Sequence, residues 1–305
     1  MEPNEWLVIL NPVSGRGRAL RHQGEIERLL NEHGMRHKVA VSRFHGHTIE
    51  LVSAAIASGC RRLLVAGGDG SLSEAVNGIL SQGTVTATDV LLATLPVGTG
   101  NDWARSHNVP GDWPAAIALA ASEASAVHDA GLAEFADGSQ RWFINVAGLG
   151  FDAAVVERKM ARGFGPLAYV MGLLGALWSY RPVRVRVSLD QAPSRDALIF
   201  VHFAALGKNC GGGMLIAPEA VPAEGRFHSV LINAMSRLEV LANLKRLFDG
   251  TLPSHPKVEA RTCTTIHVDA PSAIGVEADG EPVGHTPVTF RVLPRALRVV
   301  VPPPA

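Results

Sequence analysis

Up to about Val127, apolar positions alternate between short solid blocks and longer segments where they recur at helical spacing. The blocks Trp6–Leu10, Lys38–Val41, Leu63–Ala66 and Val90–Leu95 predict strands, and Ala19–Glu32, Thr48–Ser58 and Ser71–Leu80 predict the helices between them. Strand, helix, strand in that order predicts a parallel sheet built from crossover units. In such sheets ligands sit beyond the carboxyl ends of the strands. The loops starting at Asn11 (NPVSGRG), Gly67 (GGDGS) and Pro96 (PVGTGND) all fall there.

After Val127 strand-type runs dominate: Phe143–Ala147, Val183–Leu189, Leu198–Leu206, Phe227–Ile232, Thr264–Val268, Val288–Val292 and Leu297–Val301. This predicts a mostly antiparallel β domain, interrupted by helix-like insertions at Pro166–Tyr180 and Arg237–Phe248. The expected fold is thus α/β plus β, with a domain boundary at residue 128. No internal repeat and no low-complexity tract beyond the terminal PPPA is visible.

Composition narrows the function. The chain has 305 residues, 47% hydrophobic and 18% charged, enough for two domains with real cores. Its 28 basic and 28 acidic residues cancel, which disfavours a nucleic-acid partner. Three scattered cysteines, Cys60, Cys210 and Cys263, fit a reducing compartment and neither a disulfide framework nor a zinc site. The N-terminus lacks a signal-peptide pattern, and the longest apolar stretch, Leu167–Trp178, is shorter than the roughly 20 residues of a membrane-spanning helix. The expected location is cytoplasmic.

The chemistry concentrates in two glycine-rich strings, GGDGSLSEAVNG from Gly67 and LPVGTGNDWARS from Leu95. Gly67, Gly68 and Gly70 permit dihedrals and close approaches that a Cβ would block, so their N–H groups can meet a phosphate. Ser71 and Glu74 have the spacing of a capping box. Asp69 among anion-binding amides calls for a divalent cation nearby. Gly98, Thr99 and Gly100 repeat the device, and Asn101 and Asp102 add an amide and a carboxylate, Asp102 also being open to a plain N-cap role. No G-x-x-x-x-G-K-[ST] string occurs, and Leu20 stands where a dinucleotide fingerprint after Gly15 and Gly17 needs its third glycine.

Taken with NPVSG at Asn11, NVAGLGFDA at Asn145, GGGMLIAPEA at Gly211 and ADGE at Ala278, these strings give an ordered set of six that resembles the diacylglycerol kinase catalytic-domain family. The soluble bacterial branch, related to sphingosine and ceramide kinases, is the most similar. The resemblance implies an N-terminal ATP-binding α/β domain over residues 1–128 with a C-terminal return over 294–305. It implies a β-sandwich lipid and catalytic domain over 129–293, with the catalytic cleft between the two. Asn11, Ser42, the run Gly67, Gly68, Asp69, Gly70, Ser71, Leu72 and Ser73, and Gly98, Thr99, Asn101 and Asp102 would hold ATP. Asp69 would act with Mg²⁺, and Asp102 would join the magnesium and water network.

The same resemblance makes Glu281 the general base and Asp279 a supporting acid. A lipid hydroxyl is a poor nucleophile, and a carboxylate in reach can take its proton, worth roughly 10²–10⁴-fold. The string A-D-G-E also spells a hairpin turn. A second metal position would use the Glu224 carboxylate with the carbonyls of Val221 and Arg226, in a loop where the family usually has paired acids. Ser71 keeps the hydroxyl of the family's usual threonine; Ser73 replaces an asparagine.

The implied reaction is transfer of the ATP γ-phosphoryl group to a lipid hydroxyl, diacylglycerol giving phosphatidic acid. Sphingoid or ceramide-type acceptors, a soluble acceptor such as NAD, and a nucleotide-responsive lipid-binding protein without turnover are the alternatives. The partner is a lipid at a membrane surface, met transiently and peripherally, and a homodimer stays open. Phe164–Trp178 reads as core, as an acyl groove or as a face resting against the membrane interface, with Arg181, Arg184 and Arg186 following it toward lipid phosphates or solvent.

Overall fold

A computed structural model describes residues 4–162 and 175–303. The chain forms two compact units, one running through Ala130 and taking the chain back from Pro294, the other Gly131–Leu293.

In the first unit β1 (Trp6–Leu10), β2 (His37–Val41), β3 (Arg62–Gly67) and β4 (Leu91–Pro96) form a parallel sheet in the order β4-β3-β1-β2. All five residues of β1 are buried, as a strand covered by helices on both faces must be. The helices are α1 (Arg18–Arg21), α2 (Gln23–Glu32), α3 (His47–Ala57), α4 (Asp69–Ser81), α5 (Asp102–Ser106) and α6 (Trp113–Ser122). The single helix expected over Ala19–Glu32 breaks at His22, whose ring stands edge-on to Trp113 and meets the Glu25 carboxylate at 3.0 Å. One face of the sheet packs Val8, Leu10, Leu64 and Leu91 against Ile26, Leu30 and Ile117. At the end of the chain Arg298 and Val299 pair in parallel with Leu91 and Leu92.

In the second unit the strands are antiparallel. They are β5 (Ser125–Phe135, entering from the first unit), β6 (Gln140–Phe143), β7 (Val146–Gly150), β8 (Val183–Leu189), β9 (Arg195–Ala205), β10 (Asn209–Cys210), β11 (Met214–Leu215) and β12 (Phe227–Asn233). They continue with β13 (Val258–Cys263), β14 (Thr265–Asp269), β15 (Gly275–Ala278), β16 (Glu281–His285) and β17 (Val288–Val300). Along one edge of β9 the pairing passes from β8 to β7, while β12 takes the other edge. Such partner changes let a twisted sheet fold over on itself as a sandwich. Its interior is Phe143, Leu149, Val185, Phe227, Ile266 and Phe290 with their neighbours. The helices are α7 (Phe151–Arg162), α8 (residues 175–179), α9 (Arg237–Ala242) and α10 (Arg246–Asp249). The helix expected over Pro166–Tyr180 lies partly outside the described residues.

Two strand expectations change. Phe143–Ala147 is not one strand: it ends at Phe143 and resumes at Val146, because the N–H groups of Ile144, Asn145 and Val146 go to the Asp279 carboxylate instead of a ladder. Val288–Val292 and Leu297–Val301 are one strand, β17.

Candidate active site

The glycine strings of the first unit meet at the ends of β1, β3 and β4. The Asn11 amide donates to Ser71 Oγ at 2.8 Å, tying the first loop to α4, and its Oδ1 accepts the Val13 N–H. Gly68 and Gly98 lie back to back: a Cβ on Gly98 would stand 2.6 Å from the Gly68 Cα, where no real Cβ fits. Neither residue, nor Gly67 or Gly70, has a positive φ, so close approach and not dihedral freedom makes glycine necessary here.

The capping-box expectation for Ser71 and Glu74 is overturned. The helix α4 starts at Asp69 behind Gly68 without any side-chain cap. Its first-turn N–H groups, at Asp69, Gly70 and Ser71, therefore have no acceptor within the helix, which is the local chemistry of an anion site. Glu74 reaches out instead, accepting the N–H groups of Gly46 at 2.8 Å and Thr48 at 3.2 Å and meeting His45 at 3.2 Å, so it caps α3. Leu72 and Ser73 are buried. Ser42 is also buried, while Thr99 is exposed.

Asp69 is held in place from the second string. Its Oδ1 accepts the Trp103 N–H at 3.1 Å, at the start of α5. Asn101, at φ 51°, is the N-cap of that helix and folds its amide onto the Gly98 carbonyl at 2.9 Å, so Asp102 is not the cap. A Cβ on Gly100 would lie 3.1 Å from Asp69 Oδ2 and 3.5 Å from Asp102 Oδ2, so the two carboxylates converge on that bare α-carbon. An all-oxygen pair of this kind suits a hard divalent cation that completes its shell with phosphate and water. Among the described residues no three His, Cys, Asp or Glu side chains gather as a cage. The rings of Trp103, His107 and His128 pack against one another at tilted angles, and burial pushes His128 down to about 4, so it is neutral at pH 7.

In the second unit Asp279 and Gly280, both at positive φ, form the two-residue turn between β15 and β16. Asp279 is buried and its carboxylate accepts three backbone N–H groups, from Ile144 and Asn145 at 3.0 Å and Val146 at 3.2 Å. A carboxylate so engaged is an anchor. Glu281, the next residue past the turn, is only half-buried. The turn reading of A-D-G-E and a site reading of Glu281 are therefore compatible.

Two residues that sequence reasoning missed stand beside this turn. Glu277, 3% exposed, accepts the Gly280 N–H at 2.8 Å and hydrogen-bonds the Asp152 carboxyl at the start of α7. A Cβ on Gly148 would sit 2.8 Å from Asp152 Oδ2 and 3.0 Å from Glu277 Oε1, so a glycine is needed beneath the pair. Burial, then the neighbouring charge of Asp152, pushes Glu277 well above the usual carboxylate range, and burial raises Asp152 as well. The pair's sequence signal was an acid inside the apolar run of β15 and another in the GLGFDA string.

At the second metal position implied by the resemblance, Glu224 is paired with His228, and the Val221 carbonyl accepts the Glu224 N–H at 3.4 Å.

Residues 5–133 match the family model described as the diacylglycerol kinase catalytic domain, and residues 145–301 match the YegS C-terminal NAD kinase beta sandwich-like domain. A diacylglycerol kinase of Mycobacterium tuberculosis is 31% identical over 300 residues, covering 97% of this chain and 94% of that protein. A Shewanella frigidimarina protein named "Probable lipid kinase YegS-like" is 27% identical over 88% of this chain and 89% of its own. A solved structure titled as a diacylglycerol kinase from Bacillus anthracis superposes with a TM-score of 0.75 at 19% identity, covering 99% of this chain and 98% of that one, which shows a common fold.

Proposed function

This chain belongs to the diacylglycerol kinase catalytic-domain family and is a lipid kinase, and from that premise we propose that it transfers the γ-phosphoryl group of ATP to the hydroxyl of diacylglycerol, giving phosphatidic acid and ADP. The acceptor follows the name of the Mycobacterium tuberculosis relative. The observation that carries phosphoryl transfer is the convergence of Asp69 and Asp102 on Gly100, beside the uncapped first turn of α4.

On this reading the first unit binds ATP. The backbone N–H groups of Asp69, Gly70 and Ser71 receive phosphate oxygens, and Gly68 and Gly98 let the two loops approach closely enough to share them. Asp69 and Asp102 would hold Mg²⁺, whose chemistry when bound is to neutralise phosphate charge as the bridging bond breaks. Trp103 keeps Asp69 from turning away. In the second unit Glu281 accepts the proton of the lipid hydroxyl as the new oxygen–phosphorus bond forms. Asp279 and the Asp152–Glu277 pair position it by fixing the turn from both sides.

The test is transfer of labelled γ-phosphate from Mg-ATP to micellar diacylglycerol, monoacylglycerol, sphingosine, ceramide and phosphatidylglycerol, with NAD as a soluble control. Labelled phosphatidic acid that is lost in Glu281→Gln supports the proposal. Label on a sphingoid base or ceramide alone would replace the acceptor, and label on NAD alone would overturn the lipid assignment.

A further inference from the structure

The segment from Ser236 to Asp249 carries apolar side chains on two opposite faces. It starts with a complete capping box, Ser236 Oγ accepting the Glu239 N–H at 3.3 Å and Glu239 Oε2 accepting the Ser236 N–H at 2.8 Å, so α9 is firmly initiated. Through the turn at residues 243–245 the chain stays helical, with i→i+3 bonds at Leu244, Arg246 and Leu247. Val240 and Leu247 pack inward onto the core cluster of Phe200, Ile216 and Leu252.

That core packing leaves the other face bare. Leu238 is 78% exposed and Phe248 63% exposed, with Leu241 also exposed between them and Lys245 completing the stripe at helical spacing. Beside its start stands Trp178 of α8, 68% exposed, with the Arg237 guanidinium 5.3 Å from its ring centroid. Isolated exposed apolar residues are ordinary, but a cluster on a capped segment whose core face is already filled signals an interface.

The charges on this face indicate its partner. The acids of the segment are turned into local contacts: Glu239 takes Lys257 Nζ at 2.6 Å, and Asp249 accepts the Thr251 N–H at 3.0 Å and its hydroxyl at 2.6 Å. Arg246 is likewise engaged, by Asn243, Thr251 and Ser254. Arg237 and Lys245 are left exposed among the apolar side chains. Leucine and phenylalanine at the centre, tryptophan under an arginine at the edge and cations interleaved form the pattern that enters the headgroup region of an anionic bilayer.

We propose that Leu238, Leu241, Phe248 and Trp178, with Arg237 and Lys245, form the surface on which this protein seats itself on an anionic lipid membrane. The proposal deepens the lipid-kinase reading and rests on it for biological sense. It shares only Trp178 with the segment Phe164–Trp178 that the sequence offers for lipid contact.

The experiment is co-sedimentation of the full chain, without ATP or acceptor, with vesicles of phosphatidylcholine alone or mixed with phosphatidylglycerol. The wild type and Leu238→Asp/Phe248→Asp are compared, and Arg237→Glu/Lys245→Glu serves as a second variant that leaves the apolar side chains in place. The wild type is expected to bind the mixed vesicles, more weakly as salt rises. The first variant should lose about tenfold or more of that binding, and the second should lose the preference for phosphatidylglycerol. In a paired assay the variants should phosphorylate a short-chain, water-dispersed acceptor at the wild-type rate and a vesicle-embedded one more slowly. Unchanged vesicle binding in both variants overturns the proposal. So does a wild-type dimer that becomes monomeric in the variants with vesicle binding intact, since the face would then be a protein interface. A wild type that binds vesicles but phosphorylates no lipid leaves this surface standing and removes the kinase assignment instead.

Discussion

Glu277 accepts the Gly280 N–H at 2.8 Å while hydrogen-bonding Asp152, so a buried, hydrogen-bonded acid pair under the β15–β16 turn holds the loop that leads to Glu281. The charges of Asp152 and Asp279 both add to the rise that burial imposes on Glu277. Glu277→Ala should free the turn and lower kcat about tenfold, with a stability loss on the order of 1–3 kcal/mol, read by steady-state kinetics and denaturant titration. Because the folded-state pKa of Glu277 is raised, its contribution is complete below the unfolded value near 4.5 and is lost as pH rises toward the raised value. Thermal midpoints of the wild type should fall across that window, and Glu277→Gln should flatten the slope.

Asp279 and Glu281 should separate stability from chemistry. Replacing Asp279 by Asn removes charge from an acceptor of three N–H groups and turns a donor toward them, which should cost about 2–3 kcal/mol. Glu281→Gln should leave the thermal midpoint within about a degree, the behaviour of a surface change, and abolish transfer. Equal loss of stability in the two variants would remove the distinction between anchor and base.

Gly98→Ala tests the meeting of the two glycine strings. The added methyl would stand 2.6 Å from the Gly68 Cα, between backbones that cannot yield as a side-chain end can. Since a misplacement of about 1 Å can cost on the order of 10²-fold, kcat/KM for ATP should fall by about that factor while far-ultraviolet circular dichroism stays unchanged.

His202 should make the second unit acid-sensitive. Buried at 2% exposure with Nε2 2.8 Å from Ser229 Oγ, it is pushed down to about 4 by desolvation. A histidine that titrates near 6.5 when unfolded and near 4 when folded leaves stability whole above 6.5 and erodes it as pH falls to 4, by up to about 3 kcal/mol. His202→Gln should reduce that slope in urea titrations run between pH 7 and pH 4.

Glu74→Ala removes the acceptor for the Gly46 and Thr48 N–H groups and should cost about 1–2 kcal/mol, the loss of a helix cap. Glu74→Gln should recover part of it. An isolated helix α4 with its own capping box would predict no effect on α3; protection of the α3 amides in hydrogen exchange decides the matter.

The fold class, most of the strands and the order of the motifs were legible in the sequence because they depend on local pattern. Solid apolar blocks such as Trp6–Leu10 are strands wherever both faces are buried. What the pattern left undecided were the partners of polar atoms. Ser71 and Glu74 have capping-box spacing, yet Ser71 is taken by Asn11 and Glu74 by α3. Asp279 has the look of an acid for chemistry, and three amides from residues 144–146 consume it. Gly68 is glycine because of Gly98, and Glu277 is an acid pair only because α7 brings Asp152 to it. Local sequence determines backbone preference and which face is apolar. Which buried carboxylate becomes an anchor and which joins a hydrogen-bonded acid pair was decided by tertiary structure, because desolvation drives buried polar groups toward whichever partners the fold places within reach.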